Sequence, residues 1–159
     1  VDKVFVWNGD SKVFVAMIKY IEDFKNVEND TRIGLVRVIL LVEDSAIYYS
    51  RFFSELFSIV VEQTQRLIHE VNTDNMYKIL RMRARPKILL VSNYEDAVEY
   101  FAKYKEYLLC VISDIKYEKS GVLDEMAGLK LCEYAKSEIP DLPFLLQSSD
   151  PHNATNAFK

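Results

Sequence analysis

Glycine is scarce here, at four of 159 residues, and none of the four forms the Gly-rich turn after a strand that closes on a pyrophosphate. A dinucleotide site is therefore disfavoured. Cysteine is scarcer still: Cys110 lies in a strand-like apolar run and Cys132 in a helix-like one. Both read as buried free thiols, which fits a reducing, cytoplasmic setting. The two histidines, His69 and His152, have no Cys or His companion at ligand spacing, which argues against zinc. No apolar run approaches the ~18 residues of a membrane span. The uninterrupted stretch from Val13 to Ile18 is far too short. The chain does not open with a secretory signal, so the sequons at Asn29 and Asn153 read as chance matches. A net charge of -4 gives no overall pull toward nucleic acid or an anionic membrane, and neither is an expected partner. The first residue is not Met and the last, Lys159, falls in helix-like sequence, so both ends suggest a piece of something longer.

What the chain does have is apolar content, half of its residues, enough to bury a sizeable core. Short β-branched runs alternate with longer amphipathic stretches. Strands are expected at Lys3–Trp7, Arg37–Val42, Lys87–Ser92, Leu108–Asp114 and Pro143–Ser148. Helices are expected at Ser11–Lys25, Ser45–Val71, Tyr94–Tyr107 and Asp124–Ser137, with a further start after Pro151. Ser11, Ser45 and Asp124 suit helix starts, because a short polar side chain there accepts an orphan backbone N–H. This alternation predicts an α/β fold with an open, doubly wound parallel sheet. More than forty residues separate the second and third strands, about twice what one helix and a turn need. Ser45–Val71 reads as one long helix, broken at Asn72–Asn75 and followed by a short helix, Met76–Ala84, that ends before Pro86. The long helix makes a homodimer through it an expectation.

In such sheets function gathers at the carboxyl ends of the strands. The second strand ends in Glu43 and Asp44, and the fourth in Asp114. Neighbouring parallel strands would bring the three acids into one crevice, where hard oxygen ligands suit Mg²⁺. The last strand ends in Gln147-Ser-Ser-Asp150, which sets Ser148 at the same edge to hydrogen-bond a phosphoryl oxygen. Taken singly, an acid after a strand is more often a cap or turn residue, and Ser148 a turn hydroxyl. Their joint order favours function.

These segments resemble the receiver domains of response regulators. ILLVEDS resembles the first receiver strand, LLCVISDI the third and DLPFLLQSS the fourth, and Asp124–Ser137 with Gly128 resembles the helix between the last two. The resemblance covers Arg37 to Lys159. It implies a five-stranded, flavodoxin-like (CheY-like) three-layer sandwich. It also implies that Glu43, Asp44, Asp114 and the backbone carbonyl of Lys116 hold Mg²⁺. Asp114 would accept a phosphoryl group and Ser148 would be the switch hydroxyl, with Ser149 at the small-residue position. The implied partners are a histidine kinase or phosphotransfer protein and an attached output domain. The chain would be a regulatory module of phosphorelay signal transduction rather than an enzyme.

It also departs from that pattern. Ile115–Gly121 lacks the usual proline after the phosphoacceptor and is longer, and the family's fifth strand with its lysine lies beyond Lys159. The expected organisation is then residues 1–34 as the fifth strand and helix of a preceding receiver-like unit. Residues 35–159 form a receiver lacking its own fifth strand and helix, with a helical insertion at about 60–86. The leading strand is expected beside Pro143–Ser148 as a permuted or swapped fifth strand. RMRARPKILL is similar to the N-terminal regulatory region of bacterial proteins related to phosphoenolpyruvate synthase and pyruvate phosphate dikinase. A nucleophilic-aspartate phosphatase is disfavoured, because it needs a second aspartate where Lys116 stands. The basic cluster Lys78, Arg81, Arg83, Arg85 and Lys87 reads as a solvated helix end rather than a phosphate site. A degenerate receiver-like scaffold without phosphate chemistry is the alternative function.

Overall fold

A computed structural model describes residues 3–7, 9–69 and 85–148. The chain sorts into two compact units, Val1–Arg37 with Ala46–Ile88, and Val38–Ser45 with Leu89–Lys159.

The first unit is built on two long helices, α1 (Lys12–Gly34) and α2 (Ala46–His69). Helix α1 runs well beyond the expected Lys25. It stops where Leu35 turns left-handed at φ 50° and returns its N–H to the Asp30 carbonyl. Val13, Ala16 and Val27 of α1 and Tyr49, Phe53 and Phe57 of α2 are buried. Three serines lie among the buried or half-buried positions of α2 at four-residue spacing. Ser50, Ser54 and Ser58 each donate to the carbonyl one turn back, which lets a polar stripe pack.

Lys3–Trp7 is not the expected strand, and it does not enter the sheet. Its backbone bonds go to α2 instead: Val6 N donates to Ser50 Oγ (2.8 Å) and the Tyr49 hydroxyl donates to the Val4 carbonyl. Phe5 enters an aromatic cluster with Tyr20, Tyr49 and Phe53, at centroid distances of 5.8, 5.5 and 6.3 Å. The ring is half-buried in that cluster, and Lys3–Trp7 carries no strand pairing among the described residues.

Arg85 and Lys87 also depart from expectation, because both are buried rather than solvated. Asp23 of α1, wholly buried, accepts from both Arg85 amino groups (2.6 and 2.9 Å) and from Ile88 N (3.1 Å). Lys87 Nζ reaches Asp30 at 2.7 Å and Asp23 at 3.7 Å, so two cations meet two carboxylates. Lys78, Arg81 and Arg83 lie outside the described residues. So do the break at Asn72–Asn75, the short helix Met76–Ala84, Ser149 and the helix expected after Pro151.

The second unit carries the sheet. Its elements are β1 (Val38–Val42), β2 (Lys87–Val91), α3 (Tyr94–Tyr104), a 3-10 turn (Lys105–Tyr107), β3 (Leu108–Asp114), β4 (Tyr117–Lys119), β5 (Val122–Asp124), α4 (Ala127–Glu138) and β6 (Phe144–Gln147). The first two residues of β2 count with the first unit. The order is β2-β1-β3-β6, with β1–β3 and β3–β6 parallel. The chain is thus an α/β protein with a parallel sheet of four strands among the described residues. β1 and β2 are buried at every position, which is why Val38–Val42 and Ile88–Val91 read as unbroken apolar runs. Helix α3 starts at Asn93, whose side chain accepts from Asp96 N at 2.8 Å, and Phe101 meets Tyr134 of α4 edge-on. Among the described residues no helix is long and apolar enough to cross a membrane.

The segment after β3, expected as a loop, is a two-stranded hairpin of β4 and β5. Ser120 and Gly121 form its turn with φ of 54° and 77°, as a tight antiparallel reversal requires. Asp124 therefore ends β5 and does not start α4, although its carboxylate accepts from Met126 N at 2.9 Å.

Candidate metal centre

Parallel pairing sets Val42 opposite Ser113, so the residues that follow on each strand emerge together at the carboxyl edge. Glu43, Asp44 and Asp114 each offer a carboxylate oxygen there, all within 4.8 Å of one another. Glu43 is buried, Asp114 half-buried and Asp44 exposed, so the cluster is rooted in protein and open on one side. Sequence reasoning named these three, and the fold brings them together.

Burial pushes the Glu43 carboxyl up to about 7, and the negative charges of Asp114 and Asp44 push the same way. Two donors oppose that rise, Ser45 N on Oε1 (3.0 Å) and Gln147 Nε2 on Oε2 (3.1 Å). Burial also raises the Asp114 carboxyl. The Ile115 and Lys116 N–H groups donating to it lower it, and Asp44 raises it. Both acids are thus held in a site that penalises their charged forms, the condition a bound cation relieves. The donor set is all oxygen and spans the separations of a hard divalent ion's coordination shell. The cluster can hold a metal ion.

Lys116 meets Asp114 through its main-chain N–H. Its Nζ is turned outward to Glu125 at 2.8 Å. Ser148 follows Gln147, which pairs with Asp114 in the β3–β6 register, so it continues from the same edge with its side chain exposed.

Four further residues shape the site. Gly128, in the first turn of α4, donates to the Ile115 carbonyl at 2.9 Å, and a Cβ there would come within 2.1 Å of the Asp114 carbonyl oxygen. Only glycine permits that approach. Gln147 was missed as a partner of Glu43, since nothing in a strand-end glutamine marks a contact 104 residues away. Beneath Asp114, the Ser113 hydroxyl donates to the Asp114 carbonyl (2.8 Å) and is hydrogen-bonded to buried Tyr117 (3.2 Å), which ties the hairpin to the strand end. Cys110 and Cys132 are free and half-buried, less enclosed than expected.

Comparison with protein-family models, with curated proteins and with solved structures gives no match.

Proposed function

We propose that this chain is a phosphoacceptor receiver module of the response-regulator type, with Asp114 as the phosphorylated residue. The observation that carries this reading is the convergence of Glu43, Asp44 and Asp114 at the carboxyl ends of two adjacent parallel strands. On this reading Asp114, Asp44, Glu43 and the backbone carbonyl of Lys116 hold Mg²⁺. Its role when bound is to neutralise charge on the carboxylates and the incoming phosphoryl group. An Asp114 carboxylate oxygen attacks the phosphorus of a phosphohistidine; the P–O bond forms, the P–N bond breaks, and the imidazole leaves with a proton. Ser148, one residue beyond the register partner of Asp114, donates its hydroxyl to a phosphoryl oxygen and draws the end of β6 inward.

The donor would be a histidine kinase or phosphotransfer protein of the cytoplasm, and the reader an attached output domain. The four-stranded sheet is compatible with a five-stranded flavodoxin-like sandwich, whose fifth strand would lie outside the described residues. The similarity of RMRARPKILL to regulatory regions of phosphoenolpyruvate synthase-related proteins names one candidate parent. A second reading, a receiver-like scaffold without phosphate chemistry, is favoured by the hairpin that replaces the usual loop after Asp114.

Beryllofluoride with Mg²⁺ separates the two. In the receiver, amide resonances of Asp114, Lys116 and Ser148 shift only when both are present, and Asp114→Ala abolishes the response. Unchanged spectra in a chain extended past Lys159 would leave the scaffold.

A further inference from the structure

Helix α1 carries apolar residues on two faces. Val13, Ala16 and Val27 are buried. Phe14, Met17, Ile18, Ile21 and Phe24 remain exposed, at 53, 37, 63, 52 and 47 %. Steps of three and four residues keep these five in one stripe along the helix. Trp7, 65 % exposed, extends the stripe, with its ring 6.2 Å from that of Phe14.

Half-exposed side chains of this size present on the order of 100 Å² each, so the six offer roughly 600 Å² of apolar surface. That is the upper end of the largest patch on a typical monomer, and it approaches the ~800 Å² per partner of a standard interface. The stripe is also close to palindromic about Lys19. Phe14 and Phe24 lie at equal distances on either side of it, as do Met17 and Ile21. Two copies laid antiparallel therefore set Phe14 against Phe24 and Met17 against Ile21. The charges between these positions are already paired inside one copy, Lys19 with Glu22 at 2.5 Å and Asp23 with Arg85 and Lys87. Bringing the stripes together strands no lone charge from this stretch.

We infer that this face of α1 is a homodimer seam, covered by a second copy of the chain in antiparallel register. This seam belongs wholly to the first unit and is independent of the acidic cluster. It also moves self-association from the long helix α2 to α1. Among the described side chains of α2, the exposed isoleucines Ile47 and Ile59 are twelve residues apart and about a third of a turn out of line, so these two form no stripe.

Sedimentation equilibrium of the 159-residue chain over a wide concentration range tests it. The expected result is a monomer–dimer equilibrium that Ile18→Asp and Ile21→Asp each weaken at least tenfold, with the melting temperature of the dilute monomer kept and Ile59→Asp without effect. In a background with Cys110 and Cys132 changed to serine, Phe14→Cys and Phe24→Cys copies should cross-link to each other faster than to themselves. A monomer at every concentration overturns the inference and leaves the stripe to another segment or partner. A dimer indifferent to Ile18→Asp and Ile21→Asp overturns it equally. A dimer without the unlike cross-link overturns the antiparallel register.

Discussion

Gly128 lies against the Asp114 carbonyl so closely that any side chain there would meet backbone. A Cβ would stand 2.1 Å from that oxygen and 2.9 Å from Ile115 Cα. Neither atom is the far end of a flexible group, so Gly128→Ala must move the end of β3 or the start of α4. We expect a loss of about 1–3 kcal/mol in urea unfolding, as for overpacked cores, together with weaker Mg²⁺ binding, since Asp114 moves with its carbonyl. Gly121→Ala is the contrast. Its Cβ would meet nothing within 4 Å, but φ of +77° costs an L-residue about 1 kcal/mol. Stability should fall slightly there and metal affinity stay put.

Glu43 predicts the pH dependence of the metal-free protein. Its carboxyl rises from an ordinary value of 4.5 to about 7 in the fold, so the folded state keeps a proton that the unfolded chain has already lost. Stability is therefore greatest below about pH 4.5 and falls as pH rises through 7, by at most about 3 kcal/mol from this group. The raised Asp114 carboxyl works in the same direction. Glu43→Gln should flatten the slope in urea unfolding between about pH 5 and pH 8, with Gln147 turning its amide to present the carbonyl. Mg²⁺ should restore stability to the wild type at the alkaline end, and leave Glu43→Gln little changed.

The strands that form the sheet were legible because burial on both faces leaves no polar residue to blur the run from Val38 to Val42. The acid cluster was legible because strand ends in a parallel sheet share an edge. Other features depend on partners that no local pattern names. Val4-Phe-Val-Trp7 has strand composition, yet the same residues suit a segment laid over α2. Arg85 and Lys87 stand among other cations in sequence, while the acid that buries them lies 62 residues away from Arg85. The β4–β5 hairpin hid behind a Ser120-Gly121 turn in place of a stronger Asn-Gly signal, and behind strands of three residues each.

Asp23 should be the most sensitive charged position of the first unit. It accepts from Arg85 twice, from Ile88 N once, and lies 3.7 Å from Lys87, all without solvent. Removing one partner of a buried pair strands the other, at about 3–5 kcal/mol. Asp23→Ala strands Arg85, whereas Arg85→Met leaves Asp23 with Lys87 and the Ile88 amide. The first substitution should therefore cost more in chemical denaturation, and the double variant should recover part of the loss. Equal single costs that add in the double variant would contradict this network.

The N-terminal segment gives the last prediction. Ser50 Oγ accepts from Val6 N while donating to the Ala46 carbonyl, and Tyr49 donates to the Val4 carbonyl, so two adjacent α2 residues hold alternate positions of Lys3–Trp7. Each bond is worth about 1 kcal/mol, and the Phe5 ring adds the burial of an aromatic side chain. Ser50→Ala should abolish hydrogen-exchange protection of the Val6 amide and lower stability by about 1 kcal/mol, because a part-buried N–H loses its protein acceptor. Tyr49→Phe keeps the ring against Phe5 and should cost less. Phe5→Ala should release the whole segment to early proteolysis while the sheet keeps its protection, since β1, β2, β3 and β6 complete their ladders without it. Loss of sheet protection in Phe5→Ala would instead show that Lys3–Trp7 supports the second unit as a strand would.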